Sequence, residues 1–490
     1  MSDPDPPEAP VAQLPSDTTV PPGLDDVAAA LAAGAERTRA ELESLVRIPS
    51  ISAAGYDRAT CRASAERTAE LLRGAGLEDV ELLELEGAHP YVTGAWLGAG
   101  AGAPTVLLYA HHDVQPVGTP EGWTSDPFEP VERDGRLYGR GSADDKAGIL
   151  VHVAAVRAWL EARGTIPVNV KVIVEGEEEI GSPNLGRFLA EHGERLRADV
   201  IVLTDLTNWK VGWPGLTYAL RGMGEAFVTV RTLEQPVHSG MWGGPVPDAL
   251  TVASRLVASL HDAAGAIAVE GFADDVRAPS PEERARIAAL GGDVEAFREE
   301  VRLRPGVELV GDPEVALWER VWMQPTITPV GIDAPNVRDA SNTLLGQVRV
   351  KLSCRFAPGQ DPERALEALR RHCEEHVAWG AEVEVAFGYH NPAWVTEPAG
   401  PVWDAAVAAM TAAYGREPAA LGCGGSIPFV EPFSEAFGGA PCLLTGIEDP
   451  ATNAHGEDES LHLADFQRAC LAEAFLLDGL AAALRRAGAA

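Results

Sequence analysis

The run Val168-Asn-Val-Lys-Val-Ile-Val174 constrains the fold more than any other stretch of the chain. It is β-branched and apolar at almost every position, which suits a strand covered on both faces. Helical periodicity flanks it, at Ala147–Ala162 before and Pro183–Leu196 after, and a second apolar run follows at Val200–Leu203. Strands alternating with helices predict α/β layers around a parallel sheet. In such sheets ligands bind at the carboxyl ends of the strands.

The same reading extends in both directions. Leu24, Val27, Leu31, Leu42, Leu45 and Val46 recur with helical spacing, and a helix is predicted over Ala63–Gly74. Val80–Leu85, Tyr91–Leu97 and Thr105–Ala110 read as strands. From about Val211 the style changes. Leu216–Thr232 alternates like one long half-exposed strand, Asp248–His261 reads as a helix, and a polar segment from Asp262 to Pro335 holds one charged helical stretch, Pro281–Arg302. Gln347–Phe356, Pro362–Ala378 and Glu382–Tyr389 then read as strand, helix and strand. After Pro392 the α/β style returns with Val402–Tyr414, Pro441–Gly446 and Leu463–Arg485. The economical organisation is an α/β domain, 24–210 and 392–490, interrupted by an inserted α+β domain, 211–391. Residues 1–23, rich in Pro, Asp and Thr, are expected to form a disordered tail.

Composition excludes several functions. Lys+Arg 39 against Asp+Glu 73 leaves a formal charge of −34, which repels nucleic acid and anionic membranes. No run approaches the ~18 apolar residues of a spanning helix. The N-terminus lacks the basic start and apolar run of a signal peptide, so a cytoplasmic address is expected. Cys61, Cys354, Cys373, Cys423, Cys442 and Cys470 are scattered without a C-x-x-C pair and are expected to be reduced, mostly buried thiols. The run Gly98–Gly102 does not open a helix and reads as a loop, not a dinucleotide fingerprint.

Five clusters carry candidate chemistry, each at or after a predicted strand end. Tyr109-Ala-His111-His112-Asp113-Val-Gln-Pro116 follows an apolar strand. In extended chain His111 and Asp113 share a side, so the carboxylate can orient the imidazole for a metal; a solvated polar loop reads the same. Asp144-Asp145, before a helix, fits either an N-cap or a carboxylate bridging two cations. Glu175-Gly-Glu177-Glu178-Glu179 is either a surface charge run or a metal ligand beside a general base. Asp205 ends a strand, and His455 lies in the polar loop Asn453-Ala-His-Gly-Glu457. Taken together, two histidines and three carboxylates could form two cation sites sharing one carboxylate, a donor set that suits zinc and also manganese or cobalt. The chain has no G-x-S-x-G elbow, no H-E-x-x-H and no phosphate-binding loop.

At Y-A-H-H-D-V-Q-P, G-R-G-S-A-D-D-K-A-G and E-G-E-E-E-I-G-S the chain resembles the co-catalytic zinc peptidases of metallopeptidase family 20, and its dipeptidase branch in particular. The resemblance covers nearly all of the chain after the tail. It implies a zinc-exopeptidase-like α/β domain with a mixed sheet and an inserted ferredoxin-like lid and dimerisation domain. It implies two divalent metal ions per subunit, expected as zinc, with His111 and Asp205 on one, Glu179 and His455 on the other, and Asp144 between them. Asp113 would orient His111, and Glu178 would be the general base. The Asp144–Asp145 peptide is expected to be cis. His238 matches a histidine that reaches across a homodimer to the oxyanion, and Thr343 lies where relatives place a second cross-dimer contact. Arg355 matches the arginine that holds the substrate's C-terminal carboxylate, and Gly424, Gly425 and Ser426 match a substrate-binding loop.

The chain departs from the family at three places. Leu344-Leu345-Gly346 stands where Ile-Pro is common, Gly422-Cys423 replaces an arginine-acidic pair, and H-G-E-D-E has Asp where Asn is frequent. The implied activity is that of a dipeptidase. An N-acyl-amino-acid deacylase or a succinyl-diaminopimelate desuccinylase on the same metals is the alternative, and an inactive scaffold the remote one.

Overall fold

The computed structural model describes residues 14–427 and 429–487. The chain divides into two compact units. Unit 1 comprises 1–218, 397–421 and 428–490, and unit 2 comprises 219–396 and 422–427.

Unit 1 is built on a mixed sheet in the order Glu78–Leu83, Tyr91–Trp96, Asn169–Glu175, Thr105–His111, Val200–Thr207, Cys442–Glu448, Gly215–Leu220. The four strands from Asn169–Glu175 to Cys442–Glu448 run parallel. Their carboxyl ends therefore share one edge, with His111 paired to Glu175 and Glu448 to Thr207. Val170, Val172, Ile173 and Val174 are fully buried, as the β-branched run predicts. Helices Lys146–Arg163 and Leu463–Ala487 cover the sheet, and Trp159 is nearly inaccessible between them, its indole N–H donating to Ala474 O at 2.9 Å. Residues 98–102 form the turn before strand Thr105–His111.

Unit 2 holds an antiparallel sheet in the order Thr326–Asp333, Gln347–Phe356, Gly222–Arg231, Glu382–Asn391. Numbered along the chain, that is strand order 2-3-1-4, with helix Ala249–Ser259 after the first strand and Pro362–His376 after the third. This is the ferredoxin-like arrangement. Val228, Val230, Val350 and Leu352 point from the sheet to Val252, Leu256, Leu366 and Leu369 on the helices, and together they form its core.

Three sequence expectations change. Leu216–Thr232 is two strands, Gly215–Leu220 and Gly222–Arg231, separated at Arg221, and the first is buried throughout. Pro281–Arg302 is two helices, Pro281–Ala289 and Val294–Glu300. Gly291 takes φ +78°, a left-handed stop, and Asp293 then caps the second helix. Of the expected tail, residues 1–13 lie outside the described residues. Farther on, the Thr19 N–H donates to Ala412 O at 2.7 Å, the Thr18 hydroxyl to Ala413 O at 3.0 Å, and Asp17 pairs with Arg468, so this part is packed rather than disordered. Among the described residues, no helix is long and apolar enough to cross a membrane. The six cysteines are free, and all but Cys423 are buried.

Candidate metal centre

Convergence at the carboxyl edge of the unit 1 sheet follows from parallel strands. Thr105–His111 delivers His111, the turn after Asn169–Glu175 delivers Glu178 and Glu179, Val200–Thr207 delivers Asp205, and Cys442–Glu448 delivers Glu448. Asp144 and Asp145 lie just before helix Lys146–Arg163, and His455 comes from the loop after Glu448. Asp145 occupies the N-cap position, but its side chain makes no capping hydrogen bond, which removes the ordinary reason for an aspartate there. The Asp144–Asp145 peptide is cis.

Asp144 sits between the two histidines. His111 Nε2 is 3.1 Å from Asp144 Oδ1 and 3.7 Å from Asp205 Oδ2. His455 Nε2 is 3.0 Å from Asp144 Oδ2 and 3.2 Å from Glu179 Oε2. Donor atoms of His111, Asp145 and Asp205 lie within 4.8 Å of one another, as do those of Asp144, Glu179 and His455 and those of Asp144, Asp205 and Glu448. The five ligands implied by the resemblance are thus brought together, and Asp145 and Glu448 join them.

Asp113 is buried beside His111. Its Oδ2 accepts from the Ser52 hydroxyl at 2.6 Å and from Glu179 N at 3.1 Å, and its Oδ1 accepts from Glu178 N at 3.2 Å. His111 Nδ1 lies 3.5 Å from Asp113 Oδ1 and 3.1 Å from the Asp113 carbonyl oxygen. Asp113 therefore fixes both the ring and the turn that carries the glutamates. Gln115 holds Glu179, its backbone N–H and side-chain amide donating at 3.1 and 2.9 Å. The Glu178 carboxylate has no hydrogen-bond partner among the described residues, and belongs to none of the three donor groups.

The electrostatics are those of an acid-rich pocket. Burial, then the Asp205, Glu179 and Asp144 carboxylates, push Glu178 well above the usual carboxylate range despite the opposing pull of His111. Burial pushes Glu179 up to about 7, with Asp144 adding to it. Burial opposes a charge on His111, but the neighbouring Asp205, Asp113 and Asp144 carboxylates outweigh it and hold the imidazole well above its ordinary value. Burial likewise raises Glu448, reinforced by Asp144 and Asp205.

His111 Nε2 is fully buried and without a hydrogen-bond partner, yet it is aimed at the carboxylates. Imidazole nitrogen and carboxylate oxygen are the donors divalent zinc, manganese and cobalt accept, and cations would offset the packed negative charge. The residues fit the group.

Sequence reasoning missed Glu448 and assigned no individual role to Glu459 or Glu175, which lie inside quoted clusters. Glu448 ends the strand Cys442–Glu448, and its signal was position alone. Glu459, the last residue of H-G-E-D-E, accepts from the N–H groups of Gly141, Ala143 and Asp144 at 3.1, 3.1 and 3.2 Å and from Arg140 Nη1 at 2.6 Å. Glu175 is buried at the end of its strand and accepts from the Tyr109 hydroxyl at 2.9 Å.

The remaining candidates belong to unit 2. His238 pairs with Thr343 across a short antiparallel ladder. Its Nδ1 accepts the N–H groups of Gly240 and Met241 at 3.1 and 3.3 Å, which places the ring hydrogen on the exposed Nε2. Ser426 is tied to Asn391, whose amide donates to the hydroxyl at 3.0 Å. Arg355, on strand Gln347–Phe356, is half-buried and has no ion-pair or hydrogen-bond partner for its guanidinium among the described residues.

The sequence of residues 107–477 matches the model for Peptidase family M20/M25/M40. The chain belongs to that family. It is 37% identical over 378 residues to the cysteinylglycine-S-conjugate dipeptidase of Corynebacterium striatum, covering 76% of this chain and 81% of that protein. It is 30% identical over 383 residues to the human Beta-Ala-His dipeptidase, covering 76% and 74%. These relatives place it in the dipeptidase branch. The structure of human carnosine dipeptidase 1 superimposes with a TM-score of 0.82 at 26% identity, covering 94% of this chain and 99% of that one. That of the di-peptidase Dug1p from Saccharomyces cerevisiae gives 0.83 over the same shares, at 23% identity, and speaks for the fold.

Proposed function

We propose that this M20 protein is a metal-dependent dipeptidase that hydrolyses free dipeptides from their C-terminal side. The observation that carries the reading is the division of Asp144 between His111 and His455, at 3.1 and 3.0 Å. One oxygen facing each histidine is the arrangement of a bridging carboxylate. His111 and Asp205 would hold one cation and Glu179 and His455 the other, with Asp144 shared; when bound, such cations would polarise a scissile carbonyl and acidify the attacking water.

The chain supplies the rest. Glu178, unpartnered and outside the donor groups, accepts the proton of the attacking water and passes it to the leaving amine. Arg355 offers a free guanidinium fork to the substrate's C-terminal carboxylate, and Gly424, Gly425 and Ser426 line the same seat.

The working form is a homodimer. In unit 2 the edge strand Thr326–Asp333 exposes Val330 and Ile332 at 55% and 50%, and Met241 and Trp242 stand out at 72% and 54%. An open strand edge and large exposed apolar side chains suit burial against a second copy. The partner subunit's His238 then donates its Nε2–H to the oxyanion of the tetrahedral intermediate, beside the partner subunit's Thr343. One such donor contributes roughly 3 kcal/mol to transition-state binding.

A substrate panel tests the proposal. Purified protein reconstituted with zinc, manganese or cobalt is offered free-amine dipeptides, N-acetyl amino acids and N-succinyl amino acids. Dipeptide turnover with little on the acylated compounds is expected. Preference for the acylated substrates would assign the deacylase or desuccinylase reading, and loss of all turnover despite bound metal would assign a scaffold.

A further inference from the structure

We propose that Arg221 is a positioning residue for the substrate's C-terminal carboxylate, acting through the Gly424–Ser426 loop. The inference rests on the proposed function, in which Arg355 and this loop receive that carboxylate. Every residue involved belongs to unit 2.

Arg221 stands where the predicted long strand breaks in two, between Gly215–Leu220 and Gly222–Arg231. Its backbone N–H donates to Cys423 O at 3.2 Å. Its side chain then reaches two more carbonyls, Nε donating to Gly424 O at 2.9 Å and Nη1 to Gln324 O at 3.2 Å. One planar guanidinium thus ties the loop to the residue that ends helix Leu317–Met323. A lysine has one donor head and cannot span both carbonyls in this fixed geometry.

The same helix backs the loop directly. A Cβ at Gly422 would lie 2.7 Å from Trp322 Cβ, and one at Gly424 would lie 2.9 Å from Arg221 Nη2 and 3.3 Å from Val321 Cγ1. Gly422 is therefore required by close approach to Trp322, and a side chain at Gly424 would displace the Arg221 guanidinium. Trp322 stacks on Trp318 with ring centroids 5.2 Å apart, and Phe297 meets Trp318 edge-on at 5.7 Å. The charged segment after Pro281 thereby has a physical task, as the back wall of the loop that Arg221 pins.

Charge points the same way. Neither Arg221 nor Arg355 is paired with a carboxylate among the described residues. Burial, and after it the neighbouring Arg355, lowers the pKa of Arg221 to about 10. Two half-buried neighbouring guanidiniums left without an anion repel each other, and an arriving carboxylate offsets that repulsion. The labour is divided. Arg221 commits its donors to two carbonyls, and Arg355 keeps its fork free.

The test uses metal-loaded full-length enzyme, a dipeptide and the C-terminal amide of that dipeptide. Arg221→Met and Arg221→Lys are each expected to raise KM for the dipeptide roughly tenfold, the usual effect of weakening one charge-assisted hydrogen bond to the substrate. KM for the amide, kcat on the dipeptide and metal content should stay within about twofold of the parent enzyme. An unchanged KM, an equal rise for both substrates, or rescue by lysine overturns the inference. If Arg221→Met does not fold, Arg221→Lys decides alone by the same criteria. Arg355→Met distinguishes the two roles. If it leaves the preference for dipeptide over amide intact, the carboxylate reading itself fails; if it abolishes that preference while the Arg221 variants retain it, only the role of Arg221 fails.

Discussion

Glu459 accepts the backbone N–H of Asp144 at 3.2 Å, so the residue placed between the two histidines is held from behind by a second buried carboxylate. The same carboxylate takes the N–H groups of Gly141 and Ala143 and pairs with Arg140, which is 1% exposed. Replacing Glu459 with Gln would leave Arg140 without its counter-charge. Such a change costs roughly 3–5 kcal/mol, and loss of support behind a ligand typically weakens metal binding 10–100-fold. Chemical denaturation with and without zinc, together with metal titration calorimetry, should show both effects in Glu459→Gln.

Glu178→Gln separates chemistry from ligation. Glu178 lies in none of the three donor groups, so metal content should stay near that of the parent protein. Turnover should fall by about 10²–10⁴, the usual contribution of a general base. Elemental analysis alongside dipeptide hydrolysis checks the pair of outcomes, and retained activity would remove Glu178 from the role proposed.

His238→Ala should also inactivate the enzyme while leaving metal bound. If the site is shared between subunits, mixing inactive His238→Ala and Glu178→Gln proteins restores activity through hybrid dimers that contain one complete site. Subunit exchange must be shown in the same mixture, by mass spectrometry of differently tagged chains. Exchange without recovered turnover would count against a shared site.

The buried acids predict the pH behaviour of metal-free protein. Burial raises Glu175 to about 7, above the ordinary glutamate value of 4.5. Between those two values the folded state binds more protons than the unfolded state, so stability falls as pH rises. The shift is on the order of 3 kcal/mol, fully expressed above about pH 7. Urea unfolding of the chelated protein at pH 5 and pH 8 should show the decrease, and Glu175→Gln should make it shallower by the part Glu175 contributes, the rest coming from Glu178, Glu179 and Glu448. A Glu175→Gln profile as steep as the parent's would place the pH dependence elsewhere.

Much of the architecture could be read locally. Val168–Val174 had to be a covered strand, because no helix or surface strand carries so many β-branched residues in register. The two-domain style, the helices Lys146–Arg163 and Pro362–His376, and the motifs around His111, Asp144 and Glu179 were equally visible. Arg221 and the pair Gly291-Gly292 were less so. Leu216–Thr232 alternates smoothly in the sequence, and the break at Arg221 appears only where Cys423, more than two hundred residues away, takes its backbone N–H. Pro281–Arg302 is charged and helical on average, and a left-handed glycine overrides the average.

The sequence by itself determined the chemistry on offer: imidazoles and carboxylates placed after apolar strands, with no nucleophile elbow or phosphate loop to compete. Local pattern suffices for that, since strand propensity and residue type are properties of short segments. Only the tertiary structure decided which acids meet. Glu448 carries no motif that separates it from many other acids in a chain of charge −34, and Asp145 and Glu459, though inside quoted motifs, had no role that the motifs alone assigned. They are singled out by the parallel order of four strands, which brings distant residues to one edge, and by burial, which turns an ordinary carboxylate into one that needs a partner.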